Sequence, residues 1–111
     1  MNDINIDVTE SIKNELNTND VVLFMKGTPD FPMCGFSAAT VQILKNLGIN
    51  FNSVNVLDSN DMREGIKKFS DWPTIPQLYV KKEFVGGCDI VKEMYESGEL
   101  LELLNSRGIQ V

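Results

Sequence analysis

The chain has 111 residues, 42% of them hydrophobic, and a formal net charge of −6 at pH 7. That length and apolar share predict one globular domain over residues 1–111 with a core of its own, and exclude a disordered chain. The acidic balance disfavours a nucleic-acid partner, the absence of histidine removes the commonest general base and nitrogen ligand, and two cysteines are too few for a disulfide framework.

The acidic N-terminal stretch MNDINIDVTES has no arginine and reads as neither a secretory signal nor a basic transit peptide. Residues 7–17 read as a first helix, capped by Asp7 or Thr9, with Val8, Ile12 and Leu16 at helical spacing. Residues 20–26 form a strand that is apolar on both faces and therefore central. A loop over 27–33 is stiffened by two prolines. A second helix follows over 35–47, with Phe36, Ala39, Ile43, Leu44 and Leu47 on its apolar face and Gly48 just past its end. A less apolar strand spans 51–57. Asp58, Ser59 or Asn60 then caps a third helix with Met62, Ile66 and Phe69 inward.

After Trp72-Pro73-Thr74-Ile75-Pro76 comes a strand over 77–80. Lys81-Lys82-Glu83 turns it into Phe84-Val85. Gly86-Gly87 breaks that strand, and Asp89 is placed to cap a helix running to Ser97. A last short helix covers 99–107 before Gly108. From Glu83 onward six acidic residues stand against only Lys92 and Arg107, a solvated helical surface. No stretch reaches transmembrane length, so no membrane contact is expected.

The order is α-β-α-β-α-β-β-α-α. A helix joins the first two strands, which makes them parallel, and a tight turn joins the last two, which makes them antiparallel. The expected fold is therefore α/β: a thioredoxin-like, four-stranded mixed sheet flanked by helices on both faces.

Chemistry concentrates at KGTPDFPMCGFS, residues 26–37. Cys34 stands where a strand and loop feed a helix N-terminus, whose free N–H groups and dipole favour an anion such as a thiolate. Lys26 adds a positive charge. The competing reading is a small apolar residue packed under the loop. Ser37 occupies the position that carries the second cysteine of a Cys-X-X-Cys turn. Serine cannot resolve a mixed disulfide, so a second sulfur must come from an external thiol. Ser37 also reads as a first-turn residue that bonds locally.

KGTPDFPMCGFS, WPTIPQLYV and GGCDIV, in this order and spacing, resemble the CGFS-type monothiol glutaredoxins over about residues 9–104. The resemblance implies that the external thiol is glutathione, with Lys26 and Arg63 as its carboxylate partners; without it, Arg63 reads as a solvated surface residue. It also implies a cis Ile75-Pro76 bond that turns the Ile75 main chain toward the peptide, where the sequence alone favours an ordinary trans proline. Gly87, Cys88 and Asp89 then offer helix N–H groups and a carboxylate to the γ-glutamyl end. Cys88 has two readings: a residue used for its backbone, or a thiol that pairs with Cys34. Phe36 is either a core anchor or an apolar shield beside the site, and Trp72 is core or rim.

The resemblance implies further that two chains share a [2Fe–2S] cluster, held by each Cys34 and one glutathione thiolate per chain. Such a cluster needs four thiolates, and one chain offers a single activated cysteine. A homodimer, a BolA-like partner and apo iron–sulfur proteins as acceptors follow from the same likeness. So does a place in a bacterial cytoplasm or, for a processed form, the mitochondrial matrix. Two functions compete: an iron–sulfur carrier, and a glutathione-dependent thiol–disulfide oxidoreductase acting on glutathionylated proteins. The Thr28-Pro29-Asp30-Phe31-Pro32 insertion favours the carrier. Met33 departs from the charged or polar residue of many relatives. An interaction module with an inert Cys34 is the third reading.

Overall fold

The computed structural model describes residues 3–111; Met1 and Asn2, the head of the acidic N-terminal stretch, lie outside the described residues. Its elements are α1 (Asp3–Thr18), β1 (Val21–Met25), α2 (Gly35–Leu47), β2 (Asn52–Asn55), a single 3-10 turn (Val56–Asp58), α3 (Asn60–Ser70), β3 (Gln77–Val80), β4 (Glu83–Gly86), α4 (Cys88–Ser97) and α5 (Glu99–Ser106). The strands lie in the order β2-β1-β3-β4, with β1–β2 parallel and the other two pairs antiparallel. The expected mixed sheet is thus present, and β1 is central.

Alternation along β1 and β3 divides the core in two. Val21, Leu23, Met25, Leu78 and Val80 point to one face, under Val41 and Leu44 of α2, Val91 of α4 and Leu100 and Leu104 of α5. Val22, Phe24 and Tyr79 point to the other, under Ile12 and Leu16 of α1 and Ile66 of α3. Helices therefore cover both faces. A fully apolar strand such as VVLFM suits that position because neither of its faces meets water.

Several expectations are corrected. Asp7 and Thr9 do not cap α1; both lie inside it, because nothing in Asp3-Ile4-Asn5-Ile6 breaks a helix. The second strand stops at Asn55, whose side chain accepts the Leu57 N–H at 3.0 Å and starts the 3-10 turn. Asp89 does not cap α4 either: Gly87 is the N-cap and Asp89 sits in the first turn. The buried face of α2 is Ser37, Thr40, Val41, Ile43 and Leu44, while Phe36 is 62% exposed and Ala39 faces solvent. Two polar residues can face inward there because each finds a backbone partner. Thr40 Oγ1 donates to the Phe36 carbonyl at 3.0 Å, and Ser37 Oγ accepts the Lys26 N–H at 3.1 Å. In α3 only Ile66 is fully buried; Met62 is half-buried and Phe69 lies at the edge, its ring 6.3 Å from that of Tyr79. Ser59 is the cap, its Oγ accepting the Met62 N–H at 3.2 Å. Among the described residues no helix is long and apolar enough to cross a membrane.

Candidate functional site

Five segments converge on one cavity of about 570 Å³. Lys26 enters from the end of β1, Cys34 and Phe36 from the start of α2, and Arg63, Glu64 and Lys67 from α3. Trp72 to Pro76 form a wall, and Gly87 to Ile90 bring in the start of α4. Lys26, Cys34, Arg63, Ile75, Cys88 and Asp89, separated by up to 63 positions in the sequence, all line this one space. The N-termini of two helices, α2 and α4, border it.

Cys34 is the N-cap of α2, in extended conformation (φ −155°, ψ 136°), and is half-buried with a free thiol. Its sulfur closes no capping hydrogen bond of ordinary geometry. The Ser37 N–H is nonetheless the main group that holds this thiol below the usual cysteine range. Partial burial works against it, while the Phe36 N–H, the Lys26 ammonium and the Ser37 hydroxyl add to the lowering. The Ser37 hydroxyl thus serves twice: its oxygen accepts the Lys26 N–H, and it adds to the lowering of the thiol pKa. An added Cβ at Gly35 would meet nothing within 4 Å, so space is open directly beside Cys34.

The loop before Cys34 is held at both ends. The Met33 N–H donates to the Lys26 carbonyl at 2.9 Å, and Gly27 bridges to Pro32. Gly27 has φ +90°, and a Cβ there would lie 2.5 Å from the Phe31 carbonyl oxygen, so only glycine fits. The Gly27 N–H donates to Asn55 Oδ1 at 2.9 Å, which ties the loop to the end of β2.

Arg63 is half-buried. Its guanidinium donates to Asn60 Oδ1 at 2.8 Å, and its Nε stands 3.7 Å from Glu64 Oε2, which also pairs with Lys67 Nζ at 3.3 Å. The Ile75–Pro76 bond is cis, as the resemblance implies, and Ile75 is buried. Gly87 packs hard against this wall, since a Cβ there would come within 3.3 Å of the Pro76 carbonyl oxygen and of Trp72 Nε1. Cys88 is half-buried with a free thiol. Asp89 is exposed, and among the described residues its carboxylate has no hydrogen-bond or ion-pair partner. Sequence reasoning missed Glu64, Lys67 and Thr74 as lining residues and left Trp72 undecided. Trp72 is a rim residue, with its ring 5.7 Å from that of Phe84. The i, i+4 spacing of Arg63 and Lys67 was the available signal. Among the described residues no three His, Cys, Asp or Glu side chains group to hold a metal ion.

An activated cysteine at a helix start whose turn carries no second cysteine, faced by a cis-proline wall on a four-stranded mixed sheet, defines a thioredoxin-like protein with a single-cysteine turn. The glutaredoxin family model matches residues 21–85. The probable monothiol glutaredoxin 2 of Rickettsia typhi is 58% identical over 93 residues, which are 84% of this chain and 84% of that protein. The mitochondrial monothiol glutaredoxin-5 of Saccharomyces cerevisiae is 53% identical over 104 residues, 91% of this chain and 69% of that protein. The solution structure of reduced poplar apo GrxS14 superposes with a TM-score of 0.81 at 51% identity, covering 90% of this chain and 92% of its own. A buckwheat glutaredoxin–glutathione complex, at 19% identity and a TM-score of 0.87 over 100% of this chain and 99% of its own, shares the fold. The chain belongs to the glutaredoxin family, and within it to the monothiol glutaredoxins.

Proposed function

We propose that this chain, as one domain over residues 1–111, binds glutathione and a [2Fe–2S] cluster bridging two copies, and delivers that cluster to acceptor proteins. The observation that carries the reading is Cys34 with Ser37. The thiol is activated and opens onto a cavity, and the place of a second cysteine holds a fully buried serine committed to the Lys26 N–H. A site with one thiol and no internal resolving partner on its turn needs an external thiol, and the cavity suits a glutathione. Lys26 and Arg63 supply cations for its carboxylates, and the Ile75 main chain an edge for its peptide. The N–H groups from Gly87 to Asp89, with the Asp89 carboxylate, take the γ-glutamyl end. The buckwheat relative solved with glutathione has the same fold.

The cluster is cargo. Its four-thiolate requirement is met when two copies each contribute Cys34, the activated cysteine, and one bound glutathione. The open space beside Gly35 leaves the sulfur free to approach it. A ligand supplied in part by a small molecule exchanges, which suits release to an apo iron–sulfur protein. A BolA-like protein as an alternative partner, and a bacterial cytoplasm or mitochondrial matrix as the compartment, belong to the same proposal. The second reading rests on the same half-exposed, activated Cys34: attack on glutathionylated proteins, with a second glutathione regenerating the thiol.

Anaerobic reconstitution with iron, sulfide and glutathione separates the two. Wild type and Cys88→Ser are expected to give a coloured dimer with two irons and two sulfides; Cys34→Ser, and wild type without glutathione, are expected to stay colourless. Colourless monomers throughout, with fast reduction of glutathione mixed disulfides by wild type, would establish the oxidoreductase instead.

A further inference from the structure

A buried amide helps to hold the wall that lines the cavity with Cys34. Gln77, the first residue of β3, is 0% exposed, although nothing but its side-chain chemistry recommends a polar residue among Phe24, Leu78 and Tyr79. Its Nε2 donates to the Trp72 carbonyl at 3.2 Å and to the Thr74 carbonyl at 3.1 Å. Its Oε1 accepts from the Tyr79 hydroxyl at 3.4 Å. Both donors and the acceptor of the amide are therefore used inside the fold. The two carbonyls bracket Pro73, which has no N–H of its own to anchor this turn. Trp72, Pro73 and Thr74 are each exposed and lie in no helix or strand; the Trp72 N–H donates to the Lys67 carbonyl and to Ser70 Oγ, both at 3.1 Å, and Gln77 holds the two carbonyls. The same turn meets α4: a Cβ on Gly87 would come within 3.3 Å of Trp72 Nε1 and 3.9 Å of Thr74 Oγ1. The turn thus lies against the start of α4, and a shift of it moves one wall of the cavity.

We propose that Gln77 is a positioning residue for the glutathione site: it touches no ligand, and it sets the place of the Trp72–Thr74 turn against the α4 N-terminus. This rests on the glutathione-binding reading above. A buried network of this kind holds a unique arrangement only while every member is satisfied, so removing the donor releases both carbonyls together. Gln77→Met keeps the volume and loses all three bonds. Gln77→Glu keeps the shape and presents oxygen to oxygen; burial raises its carboxyl pKa, so on acidification it regains one donor.

Trp72 is the only tryptophan in the chain, so selectively excited tryptophan fluorescence reports this turn alone. Three quantities are measured on the whole protein, wild type and both variants: Trp72 emission, the dissociation constant for glutathione by titration calorimetry, and the pH midpoint of Cys34 alkylation. In Gln77→Met, glutathione binding is expected to weaken about ten-fold, the size expected when one or two buried hydrogen bonds are lost. Trp72 emission shifts to the red, while the Cys34 midpoint stays close to that of wild type, because the groups that lower it, Ser37, Phe36 and Lys26, are not among the hydrogen-bond partners of Gln77. Gln77→Glu weakens binding relative to wild type at pH 8 and recovers part of the deficit at pH 5.5. Unchanged glutathione affinity and Trp72 emission in either folded variant overturn the proposal. So does a Cys34 midpoint that moves along with the affinity, which marks a general loosening. Should wild type bind no glutathione, the glutathione reading is what fails; an unshifted Trp72 in the variants would then still refute the hold of Gln77 on the turn.

Discussion

At the scale of single residues, the site turns on how one sulfur is charged. The groups that lower the Cys34 pKa are main-chain N–H groups of the first turn of α2, then Lys26 and the Ser37 hydroxyl. A lowered pKa means that thiolate persists to lower pH, so the rate of alkylation against pH has its midpoint below the free-cysteine value of about 8.5. Ser37→Ala and Lys26→Ala each raise that midpoint and slow alkylation at pH 7, by about two- to five-fold, since each deletes one secondary contribution and leaves the Ser37 N–H in place. Stopped-flow alkylation between pH 5 and 10 measures it; a midpoint unmoved in both variants would mean that the N–H groups act alone. Ser37→Ala carries a second cost. It strips the Lys26 N–H of its acceptor in a part-buried position, which lowers stability by about 1–3 kcal/mol. Lys26→Ala keeps that bond, so the two variants separate the electrostatic effect from the structural one.

Between elements, the contact of α1 with α3 sets where Arg63 and Lys67 stand. Gly65 lies between them, and a Cβ there would sit 2.2 Å from Val8 Cγ1. Alanine favours a helix over glycine by about 1 kcal/mol, so an open site would gain from Gly65→Ala. Here overpacking opposes it at about 1–3 kcal/mol. Gly65→Ala is expected to lower the urea midpoint and Val8→Ala in the same chain to restore most of it; a stabilised Gly65→Ala single variant would show that the helices part without cost. This pairing was invisible in the sequence, because a glycine inside a helical pattern signals nothing about what lies across from it. What the sequence did reveal follows from periodicity. VVLFM announces a central strand, and Ile12, Leu16 and Ile66 announce inward helix faces. Its misreading of α2 has a physical cause: apolarity was equated with burial. Ser37 and Thr40 go inside because each finds a backbone partner, the Lys26 N–H from the end of β1 and the Phe36 carbonyl one turn back, and Phe36 goes outside because the first turn of α2 opens onto the cavity. The convergence of Lys26, Arg63, Ile75 and Cys88 came from the likeness to a family, since no local pattern links a strand end, two helices and a proline. Gln77 read only as a strand residue, because its worth lies in carbonyls three and five positions earlier.

Across the whole molecule, charge is segregated. The chain carries a net −6, yet Lys26, Arg63 and Lys67 gather at one cavity, where two helix N-termini add positive potential. An acidic ligand is drawn to that mouth and repelled elsewhere. Two carboxylates, Glu64 and Asp89, are the exceptions at the site, and Glu64 stands 3.7 Å from Arg63 and 3.3 Å from Lys67, beside them as a ligand carboxylate would be. Both pairs are about half-exposed, so they add little to stability, and their weight falls on competition with the ligand. Glu64→Gln is therefore expected to tighten glutathione binding by about two- to five-fold at low salt. That gain shrinks as salt rises, because the Debye length falls to about 8 Å at physiological ionic strength and both the repulsion and the attraction are screened. Wild-type affinity itself weakens over the same range. Calorimetry on both proteins at 20 and 300 mM salt tests this. A Glu64→Gln variant that binds more weakly would give Glu64 the opposite role, an orienting partner that holds Arg63 and Lys67 open for the ligand.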